Sequence, residues 1–239
     1  MKEVHILAIA AHRDDVELTC GGSLIRSARQ GYATAIIDLT AGESGTRGSA
    51  AVRAEEADAA SEILRVRERI NLGLPDAGLT NTPETRALLA VAIRQLRPRI
   101  VIAPPLQGRH PDHIVAGQLV RDACFVAGLA KIAPGTPPHR PRKVLHAIAF
   151  REDNVKPTFV VDISDEFDDK MRAIQCYASQ FDGAIQAGEV YPTGEPLYDV
   201  VRHQCAHYGS LIRARFGEPF YTSETMRVDD LAALEVATF

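Results

Sequence analysis

The chain has 239 residues, 46% hydrophobic and 24% charged, an ordinary balance for a globular protein with a sizeable core. Its formal net charge of −4 includes no basic stripe, which argues against a nucleic-acid partner. No apolar run approaches the roughly 20 residues that a membrane helix needs, and Glu3 and His5 spoil MKEVHILAIAAH as a secretion signal. The four cysteines, Cys20, Cys124, Cys176 and Cys205, include no CxxC pair. That argues against a thiolate zinc site or a disulfide framework and fits a reducing cytosol, so a cytoplasmic location is expected.

Short apolar runs alternate with helical patterns along the first two-thirds, the signature of βαβ units and a mostly parallel sheet. VHILAIAAH (4–12) reads as a buried first strand, followed by a helix from about Glu17 to Gln30 with Gly31 as its C′ residue. ATAIIDLT is the second strand, GESGTRGSAA a loop, VRAEEADAASEILRV a helix and RINLGL the third strand. Pro83 opens a helix that runs to Pro98, and RIVIAPP is the fourth strand. QGRHPDH leads into the helix HIVAGQLVRDACFVAG; a Pro-rich exposed loop (134–141), a fifth strand KVLHAIAF and a sixth, FVVDIS, follow. The last third reads as mainly helical, DEFDDKMRAIQCYASQF and LYDVVRHQCAHYGSLIRARF, ending in an extended EPFYTSETMRV. The expected architecture is a Rossmann-like α/β fold with helices on both faces, in one domain spanning 1–239.

Ligands of open α/β sheets bind beyond the carboxyl ends of the strands. His12, Arg13, Asp14 and Asp15 lie just past the first strand, and Arg109, His110, Pro111, Asp112 and His113 follow the fourth. In a doubly wound sheet these strands are neighbours, so the two loops should face one crevice. His12 and Asp15 can meet one ion from a tight turn, and His113 closes the set. Two imidazoles, a carboxylate and an open position describe a catalytic zinc site. Asp14 is then left over as a general base, and His110 faces the cavity as an acid or oxyanion stabiliser. Any one of these residues alone would read more simply as a helix cap; HxDD after one strand together with HxxH after another favours a metal. A dinucleotide site is excluded because AHRDDVE stands where GxGxxG is needed, and paired carboxylates repel phosphate. Gly21 and Gly22 fall inside the helix, where close packing is the reason for them.

AHRDDVE resembles the AHPDDxE signature of the LmbE/PIG-L-like deacetylases, and GRHPDH resembles their second signature, HPDH. The similarity runs nearly the whole length. DLTAGESGTRG with VRAEEA, LPDAGL, CYASQF and HYG look like the bacillithiol-biosynthesis branch, which implies N-acetylglucosaminyl malate as substrate. Deacetylation of chitobiose, of an inositol conjugate or of an antibiotic precursor is the alternative, as is a non-catalytic metal- or sugar-binding subunit, against which Asp14 speaks. The resemblance implies one Zn2+ per chain on His12, Asp15 and His113, although such an O/N ligand set also accepts other divalent metals. It implies Asp14 as general base, and His110 as oxyanion stabiliser or proton donor with Asp112 as its orienting partner. Arg53 matches a substrate-binding arginine; a surface charge is the competing reading. Arg140 matches an arginine that pairs with the Asp of HPDH. A homo-oligomer is the family's habit. Arg13 departs from the family's Pro, and its side chain is expected to point away from the metal. Tyr191, Tyr198 and Tyr208 are candidates for a C-terminal tyrosine with a transition-state role.

Overall fold

Alternation of side chains along each strand builds two cores from one sheet. The computed structural model describes residues 3–133, 135–152, 155–182, 197–233 and 235–236. Among them lie β1 (Ile6–Ala10), α1 (Asp15–Arg29), β2 (Thr34–Thr40), α2 (Ala50–Leu64), β3 (Glu68–Leu74), α3 (Pro83–Leu96) and β4 (Ile100–Ala103). These are followed by α4 (Pro111–Val126), β5 (Lys143–Ala147), β6 (Phe159–Asp162), α5 (Phe167–Gln175), α6 (Ala178–Phe181), α7 (Leu197–Ser210) and β7 (Gly217–Tyr221). The sheet has seven strands in the order β3-β2-β1-β4-β5-β7-β6. The first five are parallel, and β7 is antiparallel to both its neighbours.

Leu7, Ile9, Ile37, Val101 and Ala103 point to one face and bury against α3 and α4. Their neighbours Ala8, Ala10, Ile36 and Ile102 point to the other and bury against α1 and α2. Such strands, covered on both faces, read as continuous apolar runs, as β1 and β2 do. No helix among the described residues is long and apolar enough to cross a membrane.

The expected α/β architecture is what forms, with three differences in the last third. The predicted helix over 165–181 breaks between Gln175 and Ala178, giving α5 and α6, and the predicted helix over 197–216 stops at Ser210. GEPFY, read as merely extended, is a seventh strand inserted between β5 and β6. Pro219 is the reason it was missed, since a proline argues against an interior strand. Here the Pro219 carbonyl still serves the sheet, accepting the Ile148 amide at 3.3 Å.

Gly21 and Gly22 lie inside α1, where the helix kinks at Cys20 (φ −144°, ψ 15°). Below the kink the Gly22 and Ser23 amides donate to the buried Glu218 carboxylate at 2.9 and 2.7 Å, which caps the second half of the helix. Lys170 Nζ balances that carboxylate at 2.6 Å. A Cβ on Gly22 would stand 2.9 Å from Ile163 Cδ1, so α1 packs too closely on the segment after β6 for any side chain. Gly22→Ala is therefore expected to cost about 1–3 kcal/mol of stability by overpacking. In chemical denaturation, combining it with Ile163→Ala should cost less than the sum of the two single changes; strict additivity would contradict this packing account.

Candidate metal centre and catalytic crevice

The strand order reverses between β1 and β4, and the loops after these strands meet there. His12 lies in the loop after β1. His110 is the N-cap of α4, Pro111 opens that helix, and His113 stands in its first turn. His12 Nδ1 lies 3.3 Å from Asp15 Oδ2 and 3.3 Å from His113 Nε2, and His113 Nε2 lies 3.2 Å from Asp15 Oδ1. A tetrahedral ion with bonds of about 2.0–2.1 Å holds its ligand atoms roughly 3.3–3.4 Å apart. Three donors from two loops are thus spaced to share one ion.

A second grouping, His12 with His110 and Asp112, is also close enough to share an ion. Its atoms are engaged elsewhere. His110 Nδ1 accepts the Asp112 amide at 3.2 Å, and the Asp112 carboxylate accepts the amides of Ala77 at 2.8 Å and Leu79 at 3.3 Å. The first grouping is the better fit.

His12 carries its second nitrogen on carboxylates. Nε2 lies 3.1 Å from Asp76 Oδ1 and 3.7 Å from Asp112 Oδ2. A proton held on Nε2 by Asp76 leaves the Nδ1 lone pair facing Asp15 and His113, the arrangement in which a carboxylate orients a metal-binding imidazole. Asp76 is held in turn by the loop after β2: the Ser44 amide donates to its Oδ2 at 2.9 Å, and Glu43 accepts its amide at 2.8 Å. Sequence reasoning passed over Asp76, although LPD follows the third strand as HRDD follows the first.

Asp14 occupies the N-cap position of α1 but makes no side-chain cap bond. Its carboxylate faces Arg53 Nη2 at 3.3 Å instead. Burial and the Asp15 charge raise its pKa above the ordinary carboxylate value, against the lowering pull of Arg53 and His12. Arg53 is only 5% exposed, so the surface-charge reading fails; its Nη1 also donates to the Gly42 carbonyl at 3.1 Å, where φ is +71°. For His110, burial and then the neighbouring His113 and His12 lower the pKa. The ring is neutral near pH 7, and because Nδ1 accepts an amide its proton sits on Nε2.

Two expectations are corrected. Asp112 touches His110 through its backbone amide, while its carboxylate clamps the 77–79 turn and approaches His12. Arg140 does not pair with Asp112: it lies over the Phe125 ring at 4.5 Å and donates to the Phe125 carbonyl at 3.0 Å, at the far end of α4. Arg13 does turn from the cluster, its Nη1 donating to the Ala50 carbonyl at 2.6 Å. Tyr191 lies outside the described residues. Tyr198 donates to Asp182 at 3.0 Å, and Tyr208 stands edge-on to His207. Among the described tyrosines it is Tyr177 that reaches the HRDD turn, its hydroxyl bonding the Arg13 carbonyl and, at 2.9 Å, Glu17.

Beside the cluster a cavity of about 400 Å3 opens between α1 and the carboxyl ends of β1, β4 and β5, with Asp15, His110 and His113 in its wall.

The family described as GlcNAc-PI de-N-acetylase (PIG-L) matches residues 7–124, which include every residue of this cluster. Diacetylchitobiose deacetylase of Thermococcus kodakarensis is 32% identical over 89% of this chain and 80% of its own length. The chain belongs to the PIG-L family of N-deacetylases, which act by amide hydrolysis. The conserved protein TT1542 of Thermus thermophilus superposes with a TM-score of 0.84 at 36% identity, covering 95% of this chain and 98% of that one. A 4-oxalmesaconate hydratase of Pseudomonas putida is 29% identical over 73% of both chains. The match to the family is as the motifs implied. The bacillithiol branch is not singled out, since a probable N-acetylglucosaminyl malate deacetylase of Bacillus cereus is 25% identical, over 77% of this chain and 87% of its own.

Asp76→Ala should weaken zinc binding about 10–100-fold, as loss of a carboxylate behind a ligating histidine does; an unchanged affinity would remove Asp76 from the centre. His12 gives a second check. Burial lowers its pKa, but Asp15, Asp14 and Asp76 outweigh this and hold it at about 9 in the metal-free chain. An ion that takes Nδ1 at pH 7 therefore displaces a proton. Calorimetric zinc heats should vary with the ionisation enthalpy of the buffer, and buffer-independent heats would contradict the assignment.

Proposed function

We propose that the chain is a divalent-metal hydrolase, with zinc as the best-fitting ion, that removes the acetyl group from an N-acetylglucosaminide of the diacetylchitobiose type. The observation that carries the reading is the spacing of His12 Nδ1, the Asp15 carboxylate and His113 Nε2 at 3.2–3.3 Å, with a second carboxylate, Asp14, left over beside them. The diacetylchitobiose deacetylase relative supports the sugar, and N-acetylglucosaminyl malate is the next substrate to try.

A divalent ion on these three residues supplies Lewis acidity toward a carbonyl and toward water. The chain's own groups do the rest. Asp14, with its pKa raised by burial and by the Asp15 charge, accepts the proton of the attacking water and returns it to the departing nitrogen. His110 presents Nε2–H as a neutral donor to the oxygen on which charge develops, a form of stabilisation that is usually a large share of catalysis. Arg53 keeps Asp14 ionised. The hydratase relative favours a second reading, addition of water across a carbon–carbon double bond, which would release no acetate.

Acetate release should be measured from diacetylchitobiose, N-acetylglucosamine, N-acetylglucosaminyl malate and an inositol conjugate. Failure on every member would overturn the deacetylase reading. Asp14→Asn should retain the metal and lose about 10²–10⁴-fold in kcat, whereas Asp15→Asn should lose metal and recover partly in excess zinc. The opposite pattern would exchange the two roles.

The pH profile tests Arg53. Its positive charge lowers the Asp14 pKa, so Arg53→Met should raise it. The acidic limb of kcat/KM, a property of the coupled site as a whole, should then move to higher pH. An unmoved limb would leave Arg53 with a structural role alone.

A further inference from the structure

The cavity beside the cluster is far larger than an acetyl group, and the part of its lining that comes from α1 and the strands is mostly hydrocarbon. An acetyl methyl fills roughly the 30 Å3 of one water molecule, against about 400 Å3 here. Ile9, Ile102 and Ala147 line it from the strands, with Val16, Phe150 and Phe181 among the side chains around them. Thr19, which also lines it, has its hydroxyl proton committed to the Asp15 carbonyl at 2.7 Å, and the buried Cys20 behaves as a small apolar group. A pyranose placed there would turn hydroxyls toward hydrocarbon without partners, an unfavourable burial. The charged groups Arg109, Arg151 and Glu152 also line the cavity, and Glu152 accepts the Arg109 amide at 2.9 Å and its Nε at 3.3 Å.

We propose that this cavity is an acyl-chain pocket, and that the enzyme hydrolyses N-acyl glucosamines whose acyl group is longer than acetyl. The inference rests on the amide-hydrolase reading above and extends its substrate class. The scissile carbonyl lies at the wall formed by Asp15, His110 and His113, the hydrocarbon runs down between α1 and β4, and the sugar stays beside Arg109 and Glu152. The carbon–nitrogen bond breaks, and the oxygen of water becomes the second oxygen of the released fatty carboxylate. The water's protons are shared out between the leaving amine and solvent.

The test is a chain-length series, N-acetyl, N-butyryl and N-hexanoyl glucosamine, assayed on the zinc-loaded enzyme by release of free amine. Octyl N-acetylglucosaminide forms a parallel arm with its hydrocarbon on the other side of the sugar. kcat/KM should rise about fourfold for each methylene that enters the pocket, the factor expected from burial of one such group. Ala147→Leu, which fills the floor, should reduce the ratio of hexanoyl to acetyl turnover. A flat or falling series with acetyl still hydrolysed would overturn the proposal and leave the deacetylase reading intact. A gain confined to the octyl glycoside would assign the hydrocarbon to the aglycone and overturn it as well. If none of these amides is cleaved, the hydrolase reading itself fails, and the acyl pocket with it.

Discussion

Arg69 reaches from β3 beneath the first loop, where its guanidinium meets several separate parts of the chain. It bonds Asp38 on β2 at 2.7 and 2.9 Å, Glu17 on α1 at 2.7 Å, and the backbone carbonyl of Arg13 in the middle of the HRDD turn. Burial works against its charge, and the carboxylates of Glu17 and Asp38 outweigh that and hold it charged. A cation enclosed in this way cannot lose one partner cheaply: breaking a buried pair typically costs about 3–5 kcal/mol. The Arg13 carbonyl is therefore fixed, and with it the directions in which His12, Asp14 and Asp15 leave the turn. Tyr177 adds a second bond to the same carbonyl, so the turn is held from α5's end as well as from the sheet. The arginine at position 13, where a proline would preset the backbone, is compatible with a rigid turn for this reason.

From that turn the site spreads along the sheet by carboxylates gripping backbone amides. Asp76 takes Ser44, and Asp112 takes Ala77 and Leu79. The loops after β1, β2, β3 and β4 thereby form one continuous rim around His12. Asp112 serves two ends at once, fixing the 77–79 turn and adding negative charge near His12 Nε2. Such a shell would hold the candidate ligand atoms in place for an ion, which is what a reactive site needs from its surroundings.

What could be read from sequence was local. The apolar runs of β1 and β2, the Pro83 start of α3, and the polar residues just past β1 and β4 each announce themselves within a few positions. The paired motifs pick out His12, Asp14, Asp15, His110 and His113, and the strand order brings the two short segments that carry them together. Asp76, Arg69 and Tyr177 come from separate segments, and no short pattern marks a residue whose role is to hold another. Arg53 was ambiguous for the same reason: in VRAEEA it looks like any charge on a helix, and only its burial against Asp14 gives it meaning. Arg140 failed because its neighbours in sequence lie at the other end of α4 from the crevice. β7 was hidden by Pro219.

The place of β7 has a consequence for the order of events during synthesis. β6 joins the sheet only by pairing with β7, and the lower half of α1 is capped by Glu218. A nascent chain that has emerged as far as residue 210 has made both β6 and α1 but can complete neither. Contacts that span about two hundred residues form slowly because a long loop must close first. The earliest helix of the protein thus waits on one of its last strands, and until that strand arrives the edge of β5 that it will cover stays unpaired.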